Sequence, residues 1–346
     1  MKPIIAIPAV VGLVFRAWKR KSLTPLGLAV AALTASAHAL HPWSAPFALL
    51  GVFYFGGTKV TKVKHDVKAR LTLSATGSEG GEGQRTHVQV LANSAVATVL
   101  ILIQTYVFTV KGPSSECFSN GRHAVDLLTV GIVANYAAVA ADTFSSELGI
   151  LSTSRPRLIT SPTLRTVPPG TNGGVTATGL LAGVLGAFTT ALTSAVLLPF
   201  CVKNGGSTAM DRVYWTFAFT AWGALGSVLD SILGGLFQAS VVDKRTGKVV
   251  EGEGGQKVLV HPHPRAGGDT GYSTSASTRS VQQTKGGAVE KEAVDPAHES
   301  RRVESGRDLL DNNAVNVLMA FIMSVGAMGV ASWVWDVSIS DIGILG

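Results

Sequence analysis

Charged side chains are scarce in this chain of 346 residues. Asp, Glu, Lys and Arg together make up 15% of it, whereas hydrophobic residues make up 46%. A soluble protein needs roughly 25% charged residues to cover its surface with groups that water solvates. The deficit excludes an ordinary soluble domain, and the mean hydropathy of +0.33 indicates a surface that faces lipid.

Cysteine is almost absent as well. The sequence has only Cys117 and Cys201, which excludes a disulfide-dense scaffold and a metal site made of thiolates. We also expect no cleavable secretory signal. The apolar residues 3–15 follow a single basic residue, Lys2, and no small-x-small cleavage motif comes after them. We interpret residues 3–15 as a first helix or a re-entrant anchor.

What the sequence does contain is a series of apolar runs of helical length. Several are shorter than the ~20 residues that cross a bilayer as a straight helix. We expect an all-α, polytopic membrane bundle of about eight transmembrane helices, in which the 39 glycines let helices pack closely. The runs are 3–15, 25–40, 43–55, 88–110, 127–141, 175–202, 213–237 and 314–334.

The charges between these runs are distributed unequally. When the loops are numbered alternately, one side receives most of the basic residues, including those in 16–21 and 59–85. The positive-inside rule places that side in the cytosol and both termini on the other side. An odd number of spans would mix the two sets of loops. The expected location is the endoplasmic reticulum or another endomembrane.

The segment 243–311 departs from membrane composition. It is rich in Gly, Ser, Thr and charged residues and poor in aromatic ones. Such a segment cannot bury enough apolar area to offset the entropy cost of ordering. We predict three parts: a membrane domain (1–242), a disordered cytosolic loop (243–311), and a last span with a C-terminal tail (312–346).

Both cysteines fall on the non-cytosolic side of this topology. An oxidising lumen on that side would allow a Cys117–Cys201 disulfide. Two separate buried thiols are an equal alternative, because the sequence does not tell how far apart the two residues lie. The pairing is left open at this point.

Polar residues at the ends of apolar runs are the most informative ones, because they are costly to bury in a membrane. After the fifth run, Asp142, Ser145 and Ser146 share one helix face at i, i+3 and i+4. A carboxylate beside hydroxyl groups suits a hard cation such as Mg²⁺, which prefers oxygen ligands. The alternative is a polar helix end that simply emerges into water.

A glycine-rich turn over residues 168–176 leads into the sixth run. Backbone N–H groups at such a helix start can bind an anion, helped by the helix dipole. No Gly-Lys-Ser/Thr follows, which excludes a Walker A loop. A plain Pro/Gly turn is the equally open alternative.

Two further clusters lie near the cytosolic ends of the last two runs. Asp230 falls inside the apolar seventh run, where a carboxylate has to be paired, protonated or bound to a metal. Asn312 and Asn316 share a face where the eighth run begins, and hydrogen bonds between helices are the alternative there. Gln89 and Asn93 open the fourth run with the same spacing. All these clusters map to one membrane face, as the lining of a cavity open to the cytosol would.

At these residues the chain resembles the transmembrane protein 19 family, also called domain of unknown function 92. The motifs that carry the resemblance follow in the same order and with similar spacing over nearly the whole chain outside 243–311. They are QR (84–85), VQVLAN (88–93), ADTFSSELG (141–149), PRLIT (156–160), PGTNGGV (169–175), GSVLDSILG (226–234) and NNAVN (312–316).

Plant and cyanobacterial members of this family are phytyl-phosphate kinases. The motifs are also similar to those of dolichol and phytol kinases, which act on lipids with a nucleotide and Mg²⁺. The resemblance therefore implies a transferase of isoprenoid metabolism that converts a prenyl (phytyl-type) phosphate to the diphosphate. Its expected cofactors are Mg²⁺ and a nucleoside triphosphate, CTP or another. Phe144, which stands where the family usually has Trp, leaves the lipid open.

The expected roles of individual residues combine both lines of reasoning. Asp142 and Asp230 would hold Mg²⁺ together with Ser145, and Glu147 would act in or beside the metal shell. The remaining candidates would bind substrate or phosphate groups. They are Lys59, Lys62, Arg85, Asn93, Arg157, Thr171, Asn172, Gly173, Gly174, Asn312, Asn313 and Asn316.

Other functions are compatible with the same polar cavity. A transporter or flippase for an anionic lipid or small molecule is one, although transporters usually bind substrate near the midplane and contain inverted repeats. A membrane protein without catalytic activity is another. The expected partners are membrane lipid and prenyl phosphate, with no nucleic acid, and a homo-oligomer is left open.

Overall fold

The computed structural model describes residues 1–75, 77–80, 83–110, 117–202, 207–258 and 301–342. This part of the chain is mostly helical. Eight helices have 16 or more residues, and α4 is a short helix of 5 residues. The helices are α1 (Pro3–Lys19), α2 (Pro25–Leu40), α3 (Ala45–Lys62), α4 (His65–Ala69), α5 (His87–Val110), α6 (Asp126–Gly149), α7 (Ala177–Leu197), α8 (Ala209–Phe237) and α9 (Asn312–Trp335).

Each of the eight predicted apolar runs forms one of the longer helices. Five of the helices in the described residues, α5 to α9, are long and apolar enough to cross a bilayer. Helix α2 is apolar but has only 16 residues, and α1 and α3 are outside the group of five. The predicted helical bundle is confirmed, whereas the count of about eight spans is not.

Helix α6 is the centre of the bundle. All its residues from Asp126 to Ala141 are buried, because α3, α5, α7, α8 and α9 surround it. Small residues allow this, as they let membrane helices approach closely. A Cβ atom on Gly223 of α8, for example, would come within 2.7 Å of the Ala137 carbonyl oxygen. The enclosure of α6 explains why polar groups on it have partners on several helices.

A four-stranded sheet lies where α8 ends and α9 begins. The strands in chain order are β1 (Leu73–Ser74), β2 (Arg157–Leu158), β3 (Gly174–Val175), β4 (Ser240–Asp243), β5 (Val249–Glu251) and β6 (Arg301–Ser305). The sheet has the order β1-β5-β4-β6, and β2 and β3 form a separate antiparallel pair. Strand β1 pairs parallel with β5, whereas β4 pairs antiparallel with β5 and β6.

This sheet corrects the prediction for the segment 243–311. Both ends of the segment are folded, because β5 and β6 pair with the strand that follows α8. The sheet buries four valines, two in β4 and two in β5 (Val241, Val242, Val249 and Val250). This apolar contact offsets the entropy cost of ordering these strands. The predicted disorder of residues 259–300 lies outside the described residues.

A disulfide joins Cys117 and Cys201, with a Cα–Cα distance of 5.1 Å. The two segments beside it form an isolated bridge: the Phe118 N–H donates to the Pro199 carbonyl oxygen (2.7 Å), and the Cys201 N–H donates to the Phe118 carbonyl oxygen (2.9 Å). The Phe118 ring packs against Phe200 and two tryptophans. Of the two alternatives for the cysteines, the structure contains the disulfide.

Reduction of this disulfide is expected to lower the free energy of unfolding by about 2–4 kcal/mol, because the unfolded chain then regains the freedom of a long loop. The bonded residues are 84 positions apart. Thermal unfolding of the full chain in detergent, with and without a reductant, measures the effect. The Cys117→Ser/Cys201→Ser protein is the control and should not respond to the reductant. An unchanged melting temperature of the fully reduced wild type would contradict the expectation.

Candidate functional site

Asp142 of α6 and Asp230 of α8 meet inside the bundle. Their carboxyl groups lie within hydrogen-bonding reach of each other. The side-chain NH2 group of Asn316 of α9 donates to Asp230 Oδ1 (3.3 Å) and to the Asn312 carbonyl oxygen (3.1 Å). These contacts assign the orientation of the Asn316 amide. Two ionised carboxylates this close repel each other inside a membrane domain unless a proton or a cation lies between them. We call Asp142, Asp230 and Asn316 the acidic cluster.

Small residues bring the two acidic residues together. Gly226, four positions before Asp230, packs against Ala138, which lies four positions before Asp142. A Cβ atom on Gly226 would be 2.6 Å from the Ala138 Cβ atom. Positions four apart lie on the same helix face, so this close approach of α6 and α8 places both carboxyl groups at the same level.

Ser145, a predicted ligand of the metal, lies on the same face of α6 as Asp142. It follows Asp142 by three positions, and Gly183 of α7 faces it. A Cβ atom on Gly183 would be 3.5 Å from the Cβ atoms of both Ser145 and Ser227. Ser227 in turn precedes Asp230 by three positions on α8. The glycine therefore leaves room for two serines beside the two carboxyl groups.

A hydrogen bond from a buried amide side chain connects α6 with α5. Asn135, two turns before Asp142, is fully buried and donates to the Asn93 carbonyl oxygen (3.3 Å). The Asn93 side chain donates to the Gln89 carbonyl oxygen (2.9 Å). The Asn135 Oδ1 atom is buried without a hydrogen-bond partner, which costs roughly 1–3 kcal/mol. Sequence reasoning missed Asn135, although a polar residue inside the fifth apolar run was a usable signal.

Glu147 belongs to a different cluster. It forms an ion pair with Lys68 of α4, and the two side chains are only 12% and 9% exposed. The Lys68 ammonium group also donates to the carbonyl oxygens of Val60 (3.1 Å) and Thr61 (2.7 Å). Thr61 Oγ1 donates to Glu147 (2.7 Å) and accepts from Arg85 (3.2 Å). The structure thus gives Glu147 a cationic partner outside the acidic cluster. In the sequence, Lys68 counted only as one of the basic loop residues that indicate membrane topology.

The glycine-rich turn packs against α8 just beyond Asp230. Gly173 has a φ of +78°, and a Cβ atom there would be 2.7 Å from the Gly235 Cα atom and 2.9 Å from the Ser231 carbonyl oxygen. Only glycine fits such a position without strain. The strands β2 and β3 fix the turn, with Leu158 opposite Gly174. The turn therefore borders the acidic cluster from the side of α7.

The backbone N–H groups of Asn172 and Gly174 in this turn bond within the protein, whereas the sequence predicts that they bind phosphate. The Asn172 N–H donates to Ser240 Oγ (2.9 Å), and the Gly174 N–H donates to the Thr171 carbonyl oxygen (2.9 Å). Helix α7 starts after the turn, and the side chain of Thr176 caps it. In this conformation the turn uses these donors for its own structure, so it positions α8 rather than offering them to an anion.

The other predicted residues divide into three groups. Lys59 and Arg157 are exposed, and the Arg157 guanidinium donates to a loop carbonyl oxygen (3.4 Å). Asn312 and Asn313 lie under the sheet: Asn312 accepts from Gln238 (3.5 Å), and Asn313 donates to the Gly254 carbonyl oxygen (3.0 Å). The third group is Lys62, Arg85 and Asn93, which line one cavity.

This cavity has a volume of about 290 Å³ and lies between α1, α2, α3 and α5. We call it the lateral cavity. Its lining combines basic residues near the ends of α1 and α3 and the start of α5 with apolar residues deeper along the helices. Thr61 and Asn93 also line it, and they contact Glu147 and Asn135 of the central helix.

The acidic cluster is a suitable place for Mg²⁺. Among the described residues, no group of three or more His, Cys, Asp and Glu side chains could hold a metal. Mg²⁺ does not need such a group, because it keeps several water ligands and is usually bound by one or two carboxylates plus the phosphates of a substrate. Two carboxyl groups within hydrogen-bonding reach of each other, with the Asn316 amide beside them, match these requirements.

Comparisons with known proteins point to one family. The family described as "Integral membrane protein DUF92" matches residues 8–324. Protein PGR of Arabidopsis thaliana is 39% identical over 240 residues, which are 68% of this chain and 79% of that protein. The protein named "VTE6, chloroplastic", also from Arabidopsis thaliana, is 30% identical over 145 residues (42% of this chain and 38% of that protein). An uncharacterized membrane protein of Methanocaldococcus jannaschii is 41% identical over 109 residues (32% and 40%). No solved structure matches the chain.

Proposed function

The chain belongs to the DUF92 family of multi-pass integral membrane proteins, and from this membership we propose that it is an Mg²⁺-dependent kinase that converts a prenyl phosphate to the diphosphate. The resemblance to phytyl-phosphate kinases supports this class of reaction. One structural observation carries the proposal: two carboxyl groups from different helices, Asp142 and Asp230, meet beside Asn316 inside the bundle.

Phosphoryl transfer to a lipid phosphate requires charge stabilisation more than covalent catalysis. Both reactants, a lipid phosphate and a nucleoside triphosphate, are anionic, and phosphoryl transfer depends mainly on positioning and electrostatic stabilisation. Bound Mg²⁺ would neutralise phosphate oxygens of the donor. Asp142 and Asp230 would hold it, and the hydrogen bond from Asn316 would fix the orientation of the Asp230 carboxylate.

The proposed acceptor, a lipid phosphate, does not need a general base, so carboxylates that bind the metal are sufficient for the reaction. A phosphate monoester has a second pKa of about 6, so its oxygens are already ionised nucleophiles at neutral pH. A lipid alcohol would need a general base to remove its proton. In the proposed reaction an oxygen of the lipid phosphate attacks the γ-phosphorus atom of the nucleotide, and the nucleoside diphosphate leaves.

The proposed site faces the cytosol, where nucleotides are present. The acidic cluster draws on the C-terminal halves of α6 and α8 and the start of α9, and the lateral cavity on the ends of α1 and α3 and the start of α5. Helices that alternate in direction across a membrane bring these ends to one face. We propose that α1, α2 and α3 complete a bundle of about eight spans. The endomembrane location and the orientation of the termini stay predictions.

The purified full-length chain in detergent tests this function directly. It is incubated with Mg²⁺, with ATP, CTP, GTP or UTP labelled in the γ-phosphate, and with farnesyl, geranylgeranyl or phytyl monophosphate. We expect label in a prenyl diphosphate, and none when EDTA replaces Mg²⁺. The matching prenyl alcohols should stay unlabelled. Absence of a labelled product from every pair would contradict the proposal, and labelling of the alcohols instead would identify a lipid-alcohol kinase.

A further inference from the structure

We propose that the lateral cavity is the binding chamber for a single-chain lipid that carries a phosphate monoester head. The inference deepens the proposed function and rests on it for the class of lipid, and it assigns that lipid a binding site in a cavity separate from the acidic cluster. Three features carry it: the charge at the mouth of the cavity, its apolar wall, and its contacts with the central helix.

The mouth of the cavity is positively charged. Arg20 and Lys21 follow α1, Lys62 is the last residue of α3, and Arg85 precedes α5. Among the residues that line the cavity, all in the described part of the chain, none is acidic. Basic side chains gathered from three helix ends at a membrane surface favour an anionic head group, and Arg and Lys are the usual partners of phosphate.

The wall behind this mouth is apolar. Leu13 and Val14 of α1 and Leu50 and Phe53 of α3 line it, together with alanines of α2. Leu50 precedes Lys62 by twelve positions, which corresponds to ~18 Å along a helix. The cavity therefore has a charged end and an apolar end, as an amphiphile with one chain does. Its volume of about 290 Å³ is at the lower limit of small-molecule sites, which measure about 300–1,000 Å³, so it suits one chain better than two.

Two residues connect the cavity with the central helix, Thr61 through its side chain and Asn93 through its backbone. Thr61 lines it and donates to Glu147, and Asn93 lines it while its carbonyl oxygen accepts from Asn135. Asn135 lies two turns before Asp142 on α6. A lipid phosphate at the mouth would therefore be near the same end of the bundle as the acidic cluster, which suits an acceptor waiting for transfer.

Binding of labelled geranylgeranyl monophosphate to the purified full chain in detergent tests the inference. The assay contains EDTA and no nucleotide, so its outcome does not depend on the proposed transfer. We expect saturable binding that unlabelled geranylgeranyl monophosphate competes for strongly. Geranylgeraniol lacks the head, inorganic phosphate lacks the chain, and phosphatidic acid has two chains, so each should compete at least about tenfold more weakly.

Matched variants locate the binding. Ala31→Phe places a ring in the cavity, and Lys62→Gln removes one charge at its mouth. Each should weaken binding about tenfold, the factor that corresponds to one lost charge-assisted contact or one blocked subsite. The controls are Ala29→Phe, exposed on the same helix, and Lys19→Gln, exposed next to the mouth but not in its lining; both should bind like wild type.

Thermal unfolding shows whether each variant is folded, and the exposed Lys62 keeps the test valid if Ala31→Phe is not. Wild-type affinity of a folded Lys62→Gln protein would overturn the inference. Equal competition by geranylgeraniol, or by phosphatidic acid, would overturn it as well, because the cavity would then recognise neither the head nor the number of chains.

Discussion

Asp142→Asn is expected to lower kcat for prenyl-phosphate phosphorylation at least about a hundredfold, without a loss of stability. A carboxamide has the shape of a carboxyl group, and its NH2 group can donate to Asp230, so one hydrogen bond replaces a repulsive contact between like charges. A neutral amide is a far poorer partner for Mg²⁺ than a carboxylate, and loss of groups that only orient metal ligands already costs about 10- to 100-fold. Asp230→Asn is expected to behave in the same way, because both carboxyl groups would hold the same metal ion.

Steady-state kinetics over a range of Mg²⁺ concentrations and thermal unfolding measure both parts of this prediction. Asp336→Asn is the matched control, since Asp336 is an exposed residue after α9 with a φ of 54°, a conformation that Asn also tolerates. It should keep wild-type activity. Retention of activity in Asp142→Asn would remove the acidic cluster from the mechanism. A large loss of stability would show that the pair has a structural role instead.

Lys68→Met is expected to lower the free energy of unfolding by about 3–5 kcal/mol. The ion pair with Glu147 is almost fully enclosed, and removal of one partner leaves the other charge buried without compensation. The double variant Lys68→Met/Glu147→Leu should regain most of the loss, because a buried pair is often replaceable by apolar side chains. The single variant should also disturb Thr61, which bonds to Glu147 and lines the lateral cavity.

Thermal or denaturant unfolding in detergent measures the effect, with Lys64→Met as the control. Lys64 is exposed and precedes α4 directly, so its replacement should change stability by no more than about 0.5 kcal/mol. A loss of the same small size in Lys68→Met would mean that water reaches the pair and screens it, as at an exposed ion pair.

The helices were the predictable part of this fold. Apolar runs locate the eight longer helices of the described residues, since local composition decides where a membrane helix can form. The sheet was not predictable, because its strands have 2–5 residues and pair over long separations, such as Leu73 with Val250. A strand of two residues has no periodicity that a sequence pattern could reveal.

The candidate site was predictable in its parts but not in its pairings. The cost of burying a carboxylate in a membrane singled out Asp142 at the end of the fifth apolar run and Asp230 inside the seventh, and the structure brings the two together. The same reasoning grouped Glu147 with them, because spacing along α6 cannot show that Lys68 of α4 reaches it. The glycine-rich turn illustrates a second limit: backbone donors look available in a sequence, whereas Asn172 and Gly174 use theirs within the fold.

The central claim is that the acidic cluster is a divalent-cation site. Its most direct test is cleavage of the chain by Fe²⁺ that is bound in place of Mg²⁺. Addition of ascorbate and peroxide generates radicals at the bound metal, and mass spectrometry locates the cuts. We predict cuts near Asp142, Asp230 and Asn316 on three helices at once, suppressed by excess Mg²⁺ and absent in Asp142→Asn. Cuts confined to other parts of the chain, or unchanged cuts in Asp142→Asn, would contradict the assignment of the metal to this cluster.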